Sequence, residues 1–295
     1  MVNVYNKMKH TLRVTLILIT LFLISQIIGL VIINNYIGFE SVIEKQTIVI
    51  DGKEEIVSVV VEKETVDELP YGIERPQLKE KGSYLSIIFA IIFATVLALI
   101  LLKFQAIRLW KAWFFLSVFF TLLISFNAFI ATNISLLLAL GFAFFKTFKN
   151  NVYVHNFTEL FIYGGLASIF VPVLSIVSMI VILIIISIYD FIAVFKTKHM
   201  IKMAKFQTKI KLFAGLFVPY GNKTAILGGG DLGFPLLFSG VLFRTYGWFA
   251  LISVLTSTIA LAFLLWKSEK NKYYPAMPTI SIGCLVGYGI IMLVL

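Results

Sequence analysis

Apolar residues in this chain come in runs too long and too even for a soluble fold. A half-buried strand alternates, and a surface helix carries an apolar stripe of 3.6-residue period. The run 16–33 is instead apolar on every side, broken only by Thr20, Ser25, Gln26 and Gly29. A helix needs about 20 such residues to cross the hydrocarbon core of a bilayer. On that ruler the chain holds nine segments: 12–35, 83–103, 111–131, 133–146, 156–175, 176–195, 224–243, 246–266 and 276–295. The fourth is short enough to be tilted or incompletely spanning. The fifth and sixth abut at Pro172, a natural place for the chain to turn. Between the first and second segments the pattern changes. Residues 47–50 and 56–61 are rich in Val and Ile around Asp51-Gly52, which predicts a small extracytoplasmic β-hairpin with an Asp-Gly turn.

Composition agrees with this division. Hydrophobic residues make up 60% and charged residues 14%, with a mean hydropathy of +0.97. An ordinary soluble domain is about 25% charged. The fold class is therefore an all-α polytopic membrane protein with one integral membrane domain. It comprises helices one to six over 1–195 with an outer loop 36–82, a cytoplasmic loop 196–223, and helices seven to nine over 224–295. The net charge of +10 does not point to nucleic acid, because its placement follows topology. Lys7, Lys9, Arg13, Lys103, Arg108, Lys111, Lys146, Lys149, the lysines of 196–223, Lys267, Lys270 and Lys272 all fall on one side, while the short connections on the other side hold only Arg244. The positive-inside rule then predicts a cytoplasmic N-terminus and an extracytoplasmic C-terminus. A single cysteine, Cys284, excludes an internal disulfide. His10, His155 and His199 lack ligand spacing, so neither a metal nor a cofactor is expected.

The acidic residues narrow the chemistry. All lie in the outer loop except Glu159, Asp190, Asp231 and Glu269. Glu269 reads as solvated, and Glu159 as close enough to the cytoplasmic end of its segment to reach the interface. The two aspartates stand inside apolar runs, where a charged group costs roughly 3 kcal/mol even on the insertion scale and marks a functional site by default. Asp231 follows Gly228-Gly229-Gly230, three positions without side chains that let a backbone or a substrate approach. At 1.5 Å per residue, Asp190 lies about 8 Å and Asp231 about 10 Å from the cytoplasmic edge. Adjacent helices can bring two carboxyls at one depth together, and two close carboxyls in a low dielectric would share a proton. One then serves as base toward water while the other polarises a carbonyl, which is aspartic-protease chemistry. A proton or cation pathway uses carboxylates equally well, and a silent scaffold packed through its glycines is a third reading. No internal repeat is evident, which weakens the case for an inverted-repeat transporter.

Three short motifs, in order, resemble the presenilin/signal peptide peptidase family of intramembrane aspartyl proteases. Tyr189-Asp190 is similar to that family's Tyr-Asp on the sixth helix, Gly228-Gly229-Gly230-Asp231 to its Gly-x-Gly-Asp on the seventh, and Pro275-Ala276-Met277-Pro278 to its Pro-Ala-Leu on the ninth. The inside N-terminus and Pro278 look more like presenilin than signal peptide peptidase. The size, without long tails, resembles a microbial (archaeal) homologue. The resemblance implies an endopeptidase acting on transmembrane segments of other proteins within the lipid bilayer, with Asp190 and Asp231 as catalytic dyad. Tyr189, Gly228, Gly229, Gly230, Pro275, Ala276 and Met277 would shape the site. Met277 stands where the family has leucine, a volume-conserving exchange. Ahead of the seventh segment, 210–219 has strand-like composition, and we expect it to pair with an unwound substrate as an added edge strand.

Overall fold

The computed structural model describes residues 11–50, 53–76, 83–104, 106–149, 151–196, 212–221, 223–269 and 274–295. Among them are nine α-helices: α1 (Leu12–Asn34), α2 (Ser83–Lys103), α3 (Ile107–Asn127), α4 (Thr132–Phe148), α5 (Val152–Phe170), α6 (Ile176–Phe195), α7 (Gly229–Tyr246), α8 (Leu251–Lys267) and α9 (Met277–Val294). Two antiparallel hairpins accompany them, β1 (Ile37–Ile50) with β2 (Lys53–Val66), and β3 (Gly215–Tyr220) with β4 (Lys223–Gly228). Among the described residues, six helical stretches are long and apolar enough to cross a membrane, one of which, Gly229–Lys267, contains both α7 and α8. The expected Asp51-Gly52 turn, His10, His199 and most of the loop 196–223 lie outside the described residues.

Helix α7 is the hub. From Asp231 to Phe243 only Phe234 keeps appreciable exposure. A helix that is apolar all round must be surrounded, and α7 packs against α1, α5, α6, α8 and α9. Small residues permit the closest of the helix contacts. On α9, a Cβ at Gly283 would lie 2.8 Å from the Ser257 Cα of α8, and one at Gly287 would lie 2.5 Å from the Ser253 Cα. These two glycines, four apart, face one helix, which is how small residues substitute for the hydrophobic effect in lipid.

Sharp ends make the helix pairs. Around Pro172 the chain turns through Val171–Val173, and Ser175 caps α6 by accepting the Ser178 N–H at 3.1 Å. Arg244 of α7 reaches back to this turn, donating to the carbonyls of Val171, Pro172 and Leu174 at 3.2, 2.9 and 3.1 Å. Arg244 thus satisfies carbonyls that a helix end leaves open. Asn151 starts α5 earlier than its apolar pattern suggests, accepting the N–H groups of Tyr153 and Val154 at 2.8 and 3.3 Å. Gly247, at φ +57°, breaks the run between α7 and α8, so α8 begins at Leu251 and not at 246.

One boundary changes the picture. Apolar content predicts helix seven from 224, but Lys223–Gly228 is strand β4 and α7 opens only at Gly229. Thr224 and Ile226 favour an extended backbone, and β3 lies alongside to pair with it, Gly215 opposite Gly228 and Pro219 opposite Thr224. Asp231 is consequently in the first turn of α7 rather than several residues inside it.

Candidate active site

Asp190 sits near the C-terminal end of α6 and is 3% exposed. Its Oδ2 accepts the backbone N–H of Met277 at 3.1 Å, and the Ala276 backbone also bonds to the carboxylate. These donors exist because α9 starts here. The first N–H groups of a helix have no partner within it, and Pro278 in the first turn gives up none that the helix would use. The positive end of the helix dipole therefore faces Asp190. Pro275 and Ala276 are half-buried and Met277 is buried.

Asp231 lies three residues beyond Gly228, the N-cap of α7, and accepts a hydrogen bond from the Gly228 backbone. This is the return half of a capping box. It leaves no room at Gly228, where a Cβ would stand 3.1 Å from Asp231 Oδ2. The carboxylates of Asp190 and Asp231 are within electrostatic reach of one another. Pro235 lacks the N–H that would bond the Asp231 carbonyl one turn back. At the next carbonyl, Leu232, the buried Gln26 of α1 donates its Nε2 at 2.9 Å. The three glycines do different things. Gly229 lies against Tyr163, where a Cβ would meet the hydroxyl at 2.7 Å, whereas Gly230 is exposed and its nearest neighbour would be the Phe234 ring at 3.6 Å. Tyr189 remains 38% exposed beside Asp190 and is not buried with the two carboxylates.

The hairpin enters the site through Gly229, whose N–H donates to the Ala214 carbonyl at 3.0 Å. Strand β3 has an unusual outer edge. Asn156 of α5 donates to the Phe217 carbonyl at 2.6 Å and accepts the Phe217 N–H at 2.9 Å, as a neighbouring strand would. The Gly215 N–H donates to Glu159 Oε2 at 2.9 Å, and the Gly215 carbonyl is 2.7 Å from His155 Nε2. Antiparallel pairing alternates inward and outward residues. With Gly215 and Phe217 turned toward α5, Leu216, Val218 and Tyr220 face β4, and Thr224, Ile226 and Gly228 of β4 turn outward.

Behind this edge lies a buried charge pair that the sequence reading missed. Lys146 Nζ of α4 donates to Glu159 Oε1 at 2.6 Å, with side-chain exposures of 0% and 1%. Tyr163 donates to Glu159 Oε2. The expectation that Glu159 reaches the interface is overturned. Its short connection to Lys146 through 149–151 carries the only available hint, two opposite charges at the facing ends of consecutive segments.

Comparison with known proteins follows the same lines. Residues 48–230 match the family model described as signal-peptide peptidase, presenilin aspartyl protease; the match takes in Asp190 and the three glycines and stops one residue short of Asp231. No curated protein matches the chain by sequence. Two solved structures of a presenilin family intramembrane aspartate protease, in C222 and P2 space groups, are similar in fold. The first has a TM-score of 0.65 and 20% identity over 95% of this chain and 99% of its own, and the second a TM-score of 0.63 and 20% identity over 94% and 97%.

Proposed function

This chain belongs to the signal-peptide peptidase and presenilin aspartyl protease family, and from that premise we propose that Asp190 and Asp231 are the catalytic dyad of an endopeptidase that cuts within transmembrane segments. The observation that carries the assignment is the Met277 N–H on Asp190. It joins the Tyr-Asp and Pro-Ala-Met-Pro motifs at one carboxylate, while Asp231 of the glycine motif lies within reach of the same group. Three sequence fragments far apart in the chain thereby serve one site.

The chemistry needs one proton shared between two carboxyls. The ionised member takes a proton from water as its oxygen attacks the scissile carbonyl. The protonated member donates to the carbonyl oxygen, giving a tetrahedral diol. Collapse of the diol breaks the C–N bond, a proton passes to the leaving nitrogen, and an acid and an amine result. Pro275, Ala276 and Met277 shape the wall beside Asp190, and Gly230 leaves space beside Asp231. Tyr189 borders the dyad.

A transmembrane helix must unwind before its peptide bond is accessible, and the freed backbone then needs partners. The outer edge of β3 is already filled by Asn156, Glu159 and His155. The extended substrate therefore adds to β4, at Thr224 and Ile226, whose line leads through Gly228 to Asp231. This moves the pairing edge from the expected stretch 210–219 to the strand after it. All nine helices cross the bilayer, with the N-terminus and the β3–β4 hairpin cytoplasmic and the β1–β2 hairpin extracytoplasmic.

The test is cleavage of a tagged single-span protein in liposomes. Wild-type protein should cleave it, and Asp190→Asn and Asp231→Asn should each lose at least about 100-fold in rate while remaining folded. Cleavage that survives either substitution would remove that residue from the dyad. Ion flux without any proteolysis would replace the protease with a conduit.

A further inference from the structure

The buried pair of Lys146 and Glu159 takes no part in the chemistry described above. Its hydrogen bonds account for every group in it. The Lys146 ammonium has three donors, and finds Glu159 Oε1 at 2.6 Å, His155 Nδ1 at 3.2 Å and the His155 carbonyl at 3.4 Å. His155 carries its proton on Nε2, which faces the Gly215 carbonyl, and so accepts at Nδ1. The second Glu159 oxygen accepts from Tyr163 and from the Gly215 N–H. A network this complete, tying α4 through α5 to the backbone of β3, is not needed for stability alone. Apolar residues of similar size generally serve a core as well as a buried ion pair does.

What apolar residues would not do is hold the outward N–H and carbonyl of Gly215. This glycine has φ +136°, and a Cβ on it would come within 2.2 Å of the Leu227 carbonyl. One residue earlier, Ala214 holds the Gly229 N–H, and Gly229 in turn abuts the Tyr163 hydroxyl. The chain of contacts runs from Lys146 to Glu159, to Gly215 and Tyr163, to Gly229, and two residues on to Asp231. We propose that Lys146, Glu159 and Tyr163 are positioning residues, a buried brace that sets the β3–β4 hairpin and the first turn of α7 and so places Asp231 opposite Asp190. The inference rests on the dyad reading above. It adds residues from two helices, α4 and α5, that carry neither aspartate.

The experiment uses full-length protein in liposomes with the single-span substrate, active sites being counted by titration with a transition-state-mimicking aspartyl inhibitor. The main variant is Lys146→Met/Glu159→Gln, which removes both charges together and leaves none unpaired. The brace predicts that this variant folds and binds inhibitor, loses about 10- to 100-fold in kcat per titrated site, as removal of a supporting hydrogen-bond shell typically does, and keeps KM within about twofold of wild type. Its pH–rate profile should change in width, since the separation of two carboxyls sets how strongly they share a proton. Amide exchange at 214–229 should quicken. A merely structural role would lower the count of titratable sites with kcat per site and the pH profile unchanged, and that result would overturn the proposal. Should the double variant not fold, Tyr163→Phe decides, with faster exchange at Gly229 and a lower kcat expected and wild-type values of both overturning. Asp231→Asn runs alongside. If it still cleaves, the dyad reading fails, and the exchange data alone then decide whether the brace holds the hairpin.

Discussion

Glycine means three different things within four residues. At Gly228 the absent side chain makes room for the Asp231 carboxylate, and at Gly229 it makes room for Tyr163 and Ala214, whose atoms would lie 2.7 and 3.3 Å from a Cβ. At Gly230 nothing among the described residues demands it, since the nearest atom is a ring carbon at 3.6 Å and the residue is exposed. The expected outcome separates the two. Gly229→Ala should destabilise the protein by about 1–3 kcal/mol through overpacking, seen as a lower melting temperature in detergent. Gly230→Ala should melt like wild type yet cleave more slowly, because the space it fills is reserved for substrate. Equal melting temperatures for both variants would contradict this reading of the motif.

At the level of elements, the proposed site draws on the hairpin and the start of α9. Both are backbone devices, one offering a strand edge and the other offering free N–H groups. In β4 the ladder to β3 runs through Ala225 and Leu227, so the N–H of Ile226 faces away from it. Ile226 is 39% exposed. Proline at 226 removes that donor while leaving the hairpin its own bonds. Ile226→Pro should therefore fold and bind inhibitor but lose at least about tenfold in cleavage of the single-span substrate, since one edge hydrogen bond left unmade in a dry site costs about 1–3 kcal/mol. Undiminished cleavage would show that substrate pairs elsewhere. Proline substitutions in β3 are a poorer probe, because Asn156 and Glu159 already occupy its outward groups.

The whole molecule is a set of helices around α7, with the two aspartates near the start of α7, the end of α6 and the start of α9. The lysines and arginines at the ends of α1, α2, α4 and α8 predict, by the positive-inside rule, that this end is cytoplasmic. Single cysteines report it directly. Tyr71→Cys and Ala131→Cys, at exposed positions on the predicted outer side, should react with a membrane-impermeant maleimide on intact cells. Lys149→Cys and Lys267→Cys should react only after lysis. The reverse pattern would invert the protein in the membrane and bring water to the dyad from the other side.

The sequence by itself determined that the chain is a mostly helical membrane protein and roughly where its apolar helices run, and it singled out two aspartates with their glycine and proline neighbours as candidates. These are local properties. Apolar runs report the solvent around a helix, and an ionisable group in such a run is conspicuous because it is costly there. Helix α6 falls at 176–195 as its pattern predicts. Tertiary structure decided what depends on partners. Strand β4 looks helical by hydropathy and is extended because β3 lies alongside it. Glu159 looks peripheral, and its burial follows from Lys146 lying opposite it across the α4–α5 connection. The Met277 N–H reaches Asp190 across 87 residues of chain. A hydrogen bond of that span leaves no periodicity and no local preference behind. Only the packing of α6 against α9 creates it.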